Sequence, residues 1–325
     1  MAVGFWNVDA DTLAGSRFTV SPMAETLAGL MSLHKNRAGQ LDLVRSHRAS
    51  YRARLASDPV DVALVDAVLR PRWVANFASP VPLGTSFAEE VAVVRAAPPA
   101  QVRTDLIMAF TAGRSSYLPG SWPLLERDDL AERMADLLTW VWQHAVEPDW
   151  ARRRRILEAD VVARTRQLTL GGWADALDRM RDGMRWLGGG RLQINVLDHP
   201  PHDISGTRLS FVPVTVSRGW VAQSPGRHAV IYQCSGVLAS PAGAAVPGAL
   251  GRLLGEGRAR VLLELDPRAP KSTSQLVAIT GQGLGSVGRH LKILLEAGLV
   301  LRRRAGRSVL YARTPVGDGL VEAAS

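Results

Sequence analysis

The chain of 325 residues contains a single cysteine, Cys234. No intramolecular disulfide is possible, and no thiolate cluster can hold a metal within one chain. Long apolar runs are missing too. No stretch reaches the roughly 18 consecutive apolar residues that a membrane-spanning helix needs. The first residues include Asp9 and Asp11 and lack a basic segment ahead of an apolar run, so a secretory leader is not expected. These absences point to the cytoplasm. Signatures of common enzyme chemistry are also absent. There is no G-x-S-x-G, no H-E-x-x-H and no Walker A sequence, and no Asp/His pair stands out by its spacing. The expectation is a protein that is not an enzyme.

What is present is an apolar content of 46% and a net charge of +9. The first makes the chain globular, and its length leaves room for two domains. The charge is unevenly spread. Residues 249–325 carry 12 Lys/Arg against 6 Asp/Glu, whereas all the preceding residues together carry a net of only +3. A polyanion partner fits this end of the chain.

Helical periodicity dominates the first half. Ser21 is a candidate N-cap with Pro22 at the first helical position, after a short strand at "FTV". Further helical patterns cover about 41–57, 60–70, 86–96, 98–112, 128–146, 148–168 and 170–187. After "LGGG" (187–190) the period changes. "RLQINVL", "RLSFVPVTV" and "HAVIYQC" read as three strands. The small, Pro/Gly-rich stretch at 241–251 reads as a linker. The expected division is therefore an N-terminal helical/β domain over 1–240, the linker, and a third segment over 252–318.

That last segment contains Gly283-x-Gly285-x-x-Gly288, the glycine spacing of a dinucleotide-binding loop. Its surroundings argue otherwise. Ser272 and Gln275 form a capping box, which makes the residues before the glycines helix, where a dinucleotide fold needs strand. Val287, Leu291, Leu294 and Leu295 then form an apolar stripe, closed by Gly298 as a C-terminal glycine. "LVLRRR", "AGR" and "SVLYAR" follow as an antiparallel hairpin. Helix, helix, turn, helix and hairpin make a winged helix-turn-helix.

The run "STSQLVAITG…GSVGRHLKILLEAGLVLRRRAGRSVLYAR" resembles the DNA-binding domain of the ArsR-like bacterial repressors. Their recognition helix typically reads S-T-V-S-x-H-L-x-x-L-x-x-A-G-L-V. Ser286, Val287, His290, Leu291, Leu294, Ala297, Gly298, Leu299 and Val300 match it, whereas Gly285 and Gly288 stand where serine is usual. More weakly, the first 240 residues resemble an uncharacterised N-terminal domain of some actinobacterial members, which tend to have Tyr-Pro where this chain has Tyr232-Gln233.

The candidate DNA contacts follow. Arg289, on the polar face of the recognition helix, suits a bidentate contact to guanine O6 and N7. Ser286 can reach base or phosphate. His290 borders the apolar stripe, with a phosphate contact and plain packing both open. Lys292 lies late in the helix and faces solvent. Arg302, Arg304 and Arg307 flank the hairpin turn and suit phosphates or the minor groove, with Arg303 on the opposite face.

The resemblance also implies metal sensing, and the residues do not supply it. The helix that carries C-x-C in thiolate sensors reads "STSQLVAITG" here, and the tail "TPVGDGLVEAAS" has no histidine. No metal and no cofactor are expected. "DHPPHD" (198–203), with His199 and His202, reads as a solvated turn. Cys234 reads as a buried small hydrophobe. "WARRRRILEAD" (150–160) reads as a solvated helix face or ion-pair network, with extra DNA or acidic-partner contact as the alternative. The nine tryptophans read as core, though a helical domain so equipped can hold an apolar effector.

The fold class expected is α+β, mostly α: a helical N-terminal domain with a small sheet, and a C-terminal winged helix-turn-helix. The function expected is a transcription regulator. It would repress as a homodimer on a pseudo-palindromic operator in double-stranded DNA, with a small-molecule effector acting at the N-terminal domain. The end of the chain soon after the hairpin leaves no room for a long C-terminal dimerisation helix, so that domain is expected to supply dimer contacts. Two rivals stand: an NADP-dependent enzyme using Gly283, Gly285 and Gly288, and a protein-interaction adaptor whose winged helix does not bind DNA.

Overall fold

The structure is a computed structural model and describes residues 4–35, 42–70, 73–111, 123–177, 180–181, 183–195, 200–216, 219–234, 246–265, 270–305 and 308–324. The fold is α+β and mostly α, with a helix-turn-helix in its C-terminal part. Two compact units divide the chain: 1–40, 44–148 and 171–233 form the first, and 41–43, 149–170 and 234–325 the second. Among the described residues no helix is long and apolar enough to cross a membrane.

The first unit begins with β1 (Phe5–Asn7), α1 (Ala10–Ala14), β2 (Arg17–Phe18) and α2 (Pro22–His34). It continues through α3 (Asp42–Ala56), α4 (Pro59–Val68), α5 (Phe87–Arg95), α6 (Pro99–Thr111) and α7 (Leu130–Val141). The helix α2 starts as its sequence predicts. Ser21 Oγ accepts the Ala24 N–H at 2.9 Å, and Pro22 fills the first turn. Every residue of α2 from Pro22 to Leu33 is buried, so this helix is covered on all sides, and it sits against α5, α7 and β6. Each fully buried large apolar side chain there contributes about 1.5–3 kcal/mol.

Burial on that scale forces the polar groups of α2 to find internal partners. Glu25 accepts the Thr215 N–H at 2.8 Å and the Thr215 hydroxyl. Glu90 of α5 accepts the Ser21 hydroxyl at 2.7 Å and the Met23 N–H at 3.2 Å with one oxygen. With the other it accepts the N–H groups of Leu83 (2.7 Å) and Gly84 (2.9 Å). One carboxylate thus ties the start of α2 to the loop before α5.

Two small sheets complete this unit. The first has the order β3-β4-β1-β5, with β3 (Arg185–Gly188), β4 (Arg191–Gln193) and β5 (His202–Asp203). The β3–β4 turn uses Gly188, Gly189 and Gly190 at φ 77°, 57° and 71°, values that favour glycine. The second sheet has the order β2-β6-β8-β7, with β6 (Arg208–Val214), β7 (Trp220–Ser224) and β8 (Arg227–Gln233). In it β2, β6 and β8 run parallel, and β7 is antiparallel to β8. Both β6 and β8 are buried along nearly their whole length, which is why they read as continuous apolar runs and not as alternation. Pro213 is tolerated because β2 pairs only with Ser210 and Phe211 on that side of β6.

The helix expected over 170–187 is corrected. The helix α8 (Trp150–Leu177) is interrupted at Gly172, whose φ of 69° and ψ of −170° are not helical, and residues 185–188 are strand β3. The pattern at 128–146 also divides: α7 ends at Val141 and a wider π-helical turn covers Trp142–Val146. There Trp142 stacks on Phe87, with centroids 4.7 Å apart.

The second unit contains the first part of α8, then α9 (Gly248–Leu254), α10 (Glu256–Glu264), β9 (Lys271–Ser272), α11 (Thr273–Thr280) and α12 (Leu284–Glu296). The strands β10 (Val300–Ala305) and β11 (Ser308–Arg313) follow, then α13 (Pro315–Ala324). The stretch read as a linker ends in helix, since α9 already begins at Gly248. Gly255, at φ 80°, then separates α9 from α10. Val261, Leu262, Leu265, Leu276, Val287, Leu291 and Leu294 form the core of this unit, each 2% exposed or less.

Candidate nucleic-acid interface

Local sequence signals build the helix pair. Ser272 and Gln275 make the capping box of α11, with Ser272 N–H to Gln275 Oε1 at 2.7 Å and Gln275 N–H to Ser272 Oγ at 3.3 Å. The helix ends at Gly281, which takes the left-handed conformation (φ 71°) and donates its N–H to Val277 O at 3.0 Å. Gln282 pins the turn to α10 through Nε2 to Gly257 O, 3.0 Å. Gly283 precedes α12 without a side-chain cap, and its carbonyl accepts the N–H groups of Ser286 and Val287.

The two faces of α12 differ. Val287, Leu291 and Leu294 are buried in the core. Ser286, Arg289 and Lys292 are exposed, as are Gly285 and Gly288. A β-carbon built on either glycine would meet nothing within 4 Å, so the outward surface beside Ser286 and Arg289 is bare backbone. Lys292 lies 3.9 Å from Glu296, whereas no carboxylate among the described residues pairs with Arg289. The helix closes with paired bonds, Leu299 N–H to Leu294 O and Gly298 N–H to Leu295 O, with Gly298 at φ 68°.

His290 is half-buried and turned toward α10. A β-carbon on Gly257 would lie 2.8 Å from its Nε2. Burial, with Arg258 and Arg289 adding to it, lowers its pKa and favours the neutral ring. The wing is the hairpin β10–β11, with Arg302 opposite Tyr311, Arg303 opposite Leu310 and Arg304 opposite Val309. Strand β9 pairs with β11 and makes the sheet three-stranded. Arg302, Arg303 and Arg304 are all exposed. Arg307 lies outside the described residues.

The glycines at 283, 285 and 288 follow helix α11, and the nearby sheet is antiparallel. The strand-turn-helix of a dinucleotide site is not formed there.

Of the two readings of the arginine run at 152–155, the structure shows ion pairs, and a solvated face only for its second half. Arg152 and Arg153 are buried, at 6% and 2% exposure, and are not part of a solvated face. Arg152 lies 3.8 Å from both Glu264 of α10 and Asp149, and Arg153 lies 3.9 Å from Asp149. Lys271 also donates to the Glu264 carbonyl. Burial raises the Glu264 pKa, against the lowering by Arg152, Lys271 and Arg260. Arg154 and Arg155 face outward, and Arg154 pairs with Glu158 at 2.8 Å. The Arg155 guanidinium sits beside the helix-turn-helix turn: a β-carbon on Gly281 would be 3.9 Å from its Nη1. No sequence signal joins residues so far apart.

The first unit contains a cavity of about 960 Å³, lined among others by Phe77, Val93, Gln101, His202, Gln223 and His228. His228 Nδ1 lies 3.1 Å from Thr207 Oγ1, whose own proton goes to Ile204 O at 2.7 Å. Nδ1 therefore carries the hydrogen, and Nε2, 3.3 Å from His202 Nε2, is the acceptor. Burial, with the His202 charge adding to it, pushes His228 down to about 4. His199 of "DHPPHD" lies outside the described residues. Among the described residues no group of three or more His, Cys, Asp or Glu gathers to hold a metal. Cys234 is buried at 3% exposure.

Residues 256–303 match the family model of a helix-turn-helix domain. The match spans α10 to the middle of β10, which is the segment whose geometry is described above. It supports a DNA-binding regulator of the winged helix-turn-helix kind. No curated protein and no solved structure matches the chain.

Proposed function

We propose that this protein is a transcription regulator of the ArsR-like kind that represses by occupying a pseudo-palindromic operator as a homodimer. The observation that carries the reading is the outward face of α12. Ser286 and Arg289 stand one turn apart on it, exposed, with their apolar counterparts fixed in the core, and the wing arginines rise from the same unit. Arg289 takes the base-reading role, Ser286 a base or phosphate, and Arg302 and Arg304 phosphates. His290, half-buried and favoured in its neutral form, positions α12 against α10 more than it contacts phosphate. Two copies would read half-sites about one helical turn apart.

Effector control belongs in this proposal to the first unit, whose cavity beside His228 is large enough for a small molecule. A ligand binding one arrangement of the dimer more tightly would shift operator occupancy by that difference in affinity.

The test is capture of genomic DNA by the full-length protein, followed by binding to the recovered fragments over a salt series. Fragments sharing a two-fold sequence, bound with an affinity that falls steeply with salt, are the expected result. Recovery of unrelated fragments, held with an affinity indifferent to salt, would favour the adaptor reading.

A further inference from the structure

The matched helix-turn-helix begins at residue 256, yet a cation from far upstream stands beside its turn. The run Arg152–Arg155 divides by side. Arg152 and Arg153 point inward and are buried near Glu264 and Asp149, which fixes this part of α8 against α10 within the second unit. Buried charges of this kind hold position because losing the partner strands a charge away from water. Arg155, two residues on, is exposed, and among the described residues no carboxylate pairs with it. Its guanidinium lies next to Gly281, the left-handed residue between α11 and α12. No side chain of Gly281 separates it from the turn that leads into the reading helix.

We propose that Arg155 is an additional DNA-backbone contact, supplied by α8, which clamps a phosphate next to the start of α12. The inference rests on the DNA-binding reading above and extends the interface outside the matched segment. The occupant is duplex DNA because Arg155 stands beside the turn that leads into α12, and the same unit exposes Ser286, Arg289 and the wing arginines, groups that take negative charge. Arg155 carries no sequence information in this role; it sets the register of α12 on the duplex.

The experiment measures the binding of full-length protein to a short random-sequence duplex and to a recovered operator, each over a salt series. Arg155→Ala should weaken both to the same several-fold extent and reduce the slope of log affinity against log salt by about 0.9, the signature of one lost phosphate contact. Arg155→Lys should restore most of the slope. Arg154→Ala removes the same charge from the same helix, at a side chain held by Glu158, and should leave the slope unchanged. Equal effects of Arg154→Ala and Arg155→Ala would reduce the role to long-range charge and overturn the proposal. Tighter binding by Arg155→Ala would mean that α8 obstructs the duplex, and would overturn it as well. If Arg155→Ala is silent while Arg289→Ala loses operator binding, this inference fails and the DNA-binding reading stands. A parent protein without salt-dependent affinity for either duplex sinks both.

Discussion

Two helices of the same length, α2 and α12, use their polar groups in opposite ways. All twelve residues of α2 from Pro22 to Leu33 are buried, whereas α12 buries three, Val287, Leu291 and Leu294. The polar groups in and around α2 are spent internally: Glu25 on Thr215, and Ser21 and the Met23 N–H on Glu90. Those on the outer face of α12 are left over, since Arg289 has no carboxylate among the described residues and Ser286 faces solvent. A buried polar group satisfied inside the protein is architecture. An exposed one held in place by a rigid apolar stripe on the other side of its helix is available to a partner.

The largest effect should come from breaking the α2 side. Glu90→Ala removes the acceptor of four donors at once: the Ser21 hydroxyl and the N–H groups of Met23, Leu83 and Gly84. Stranding the two buried donors at Ser21 and Met23, with the half-buried ones at Leu83 and Gly84 lost as well, makes a loss of about 3–5 kcal/mol the expected outcome in urea unfolding. A loss below about 1 kcal/mol would mean that water reaches these groups and that α2 is not sealed from solvent.

Arg289→Ala should behave in the reverse manner. Unfolding stability should move by no more than about 0.5 kcal/mol, as for surface positions generally. Binding to a recovered operator at matched salt should weaken by about 1–3 kcal/mol, with discrimination relaxed at one base position. Unchanged operator affinity would remove the contrast between the two helices, because α12 would then be only a surface helix.

The contrast also explains what could be read in advance. The segment from Ser272 to Arg313 was legible because its signals are local: a capping box, an apolar stripe at helical spacing, Gly298 after the helix, and two strands around a short turn. The start of α2 was legible for the same reason, through Ser21 and Pro22. What was hidden depends on distant partners. The strand β7, "WVAQS", has little pattern of its own and exists by pairing with β8. Four arginines in a row read equally as a solvated face or an ion-pair network, and only Glu264, about a hundred residues away, shows where Arg152 is directed. The end of the helix after "LGG" was misjudged: it stops at Leu177, Gly183 takes a positive φ of 76°, and Arg185–Gly188 pair as strand β3.

A smaller effect concerns His228, the first unit's counterpart to the half-buried His290. Its Nδ1–H is held by Thr207, its Nε2 faces His202, and Trp6 packs against it with the ring planes at 67°. Folding lowers its pKa from 6.5 to about 4. The unfolded chain therefore binds the proton more readily, so this contribution to stability is complete above pH 6.5 and is lost as the pH falls toward 4. On the order of 1 kcal/mol is expected, less than the shift alone implies, because the cavity lets water approach. Unfolding measured across that window should show the loss, and His228→Gln should flatten it. An equally steep dependence in the variant would assign the effect to other groups.

The smallest effect sharpens the α12 side. Gly285 and Gly288 lie within the helix, with nothing inside 4 Å of an added β-carbon. Alanine at each should therefore stabilise the free protein, by about 0.5–1 kcal/mol, through reduced chain entropy in the unfolded state and better helix propensity. A gain in folding and a loss in binding at the same position would show that the missing methyl groups make room for DNA. The Gly285→Ala/Gly288→Ala double variant separates the two accounts, because Ser286 and Arg289 remain in place. If operator affinity falls while the unfolding midpoint rises, the bare surface of α12 is the interface itself. If stability rises and affinity is untouched, DNA keeps its distance from these positions, and Arg289 reaches the bases by the length of its side chain alone.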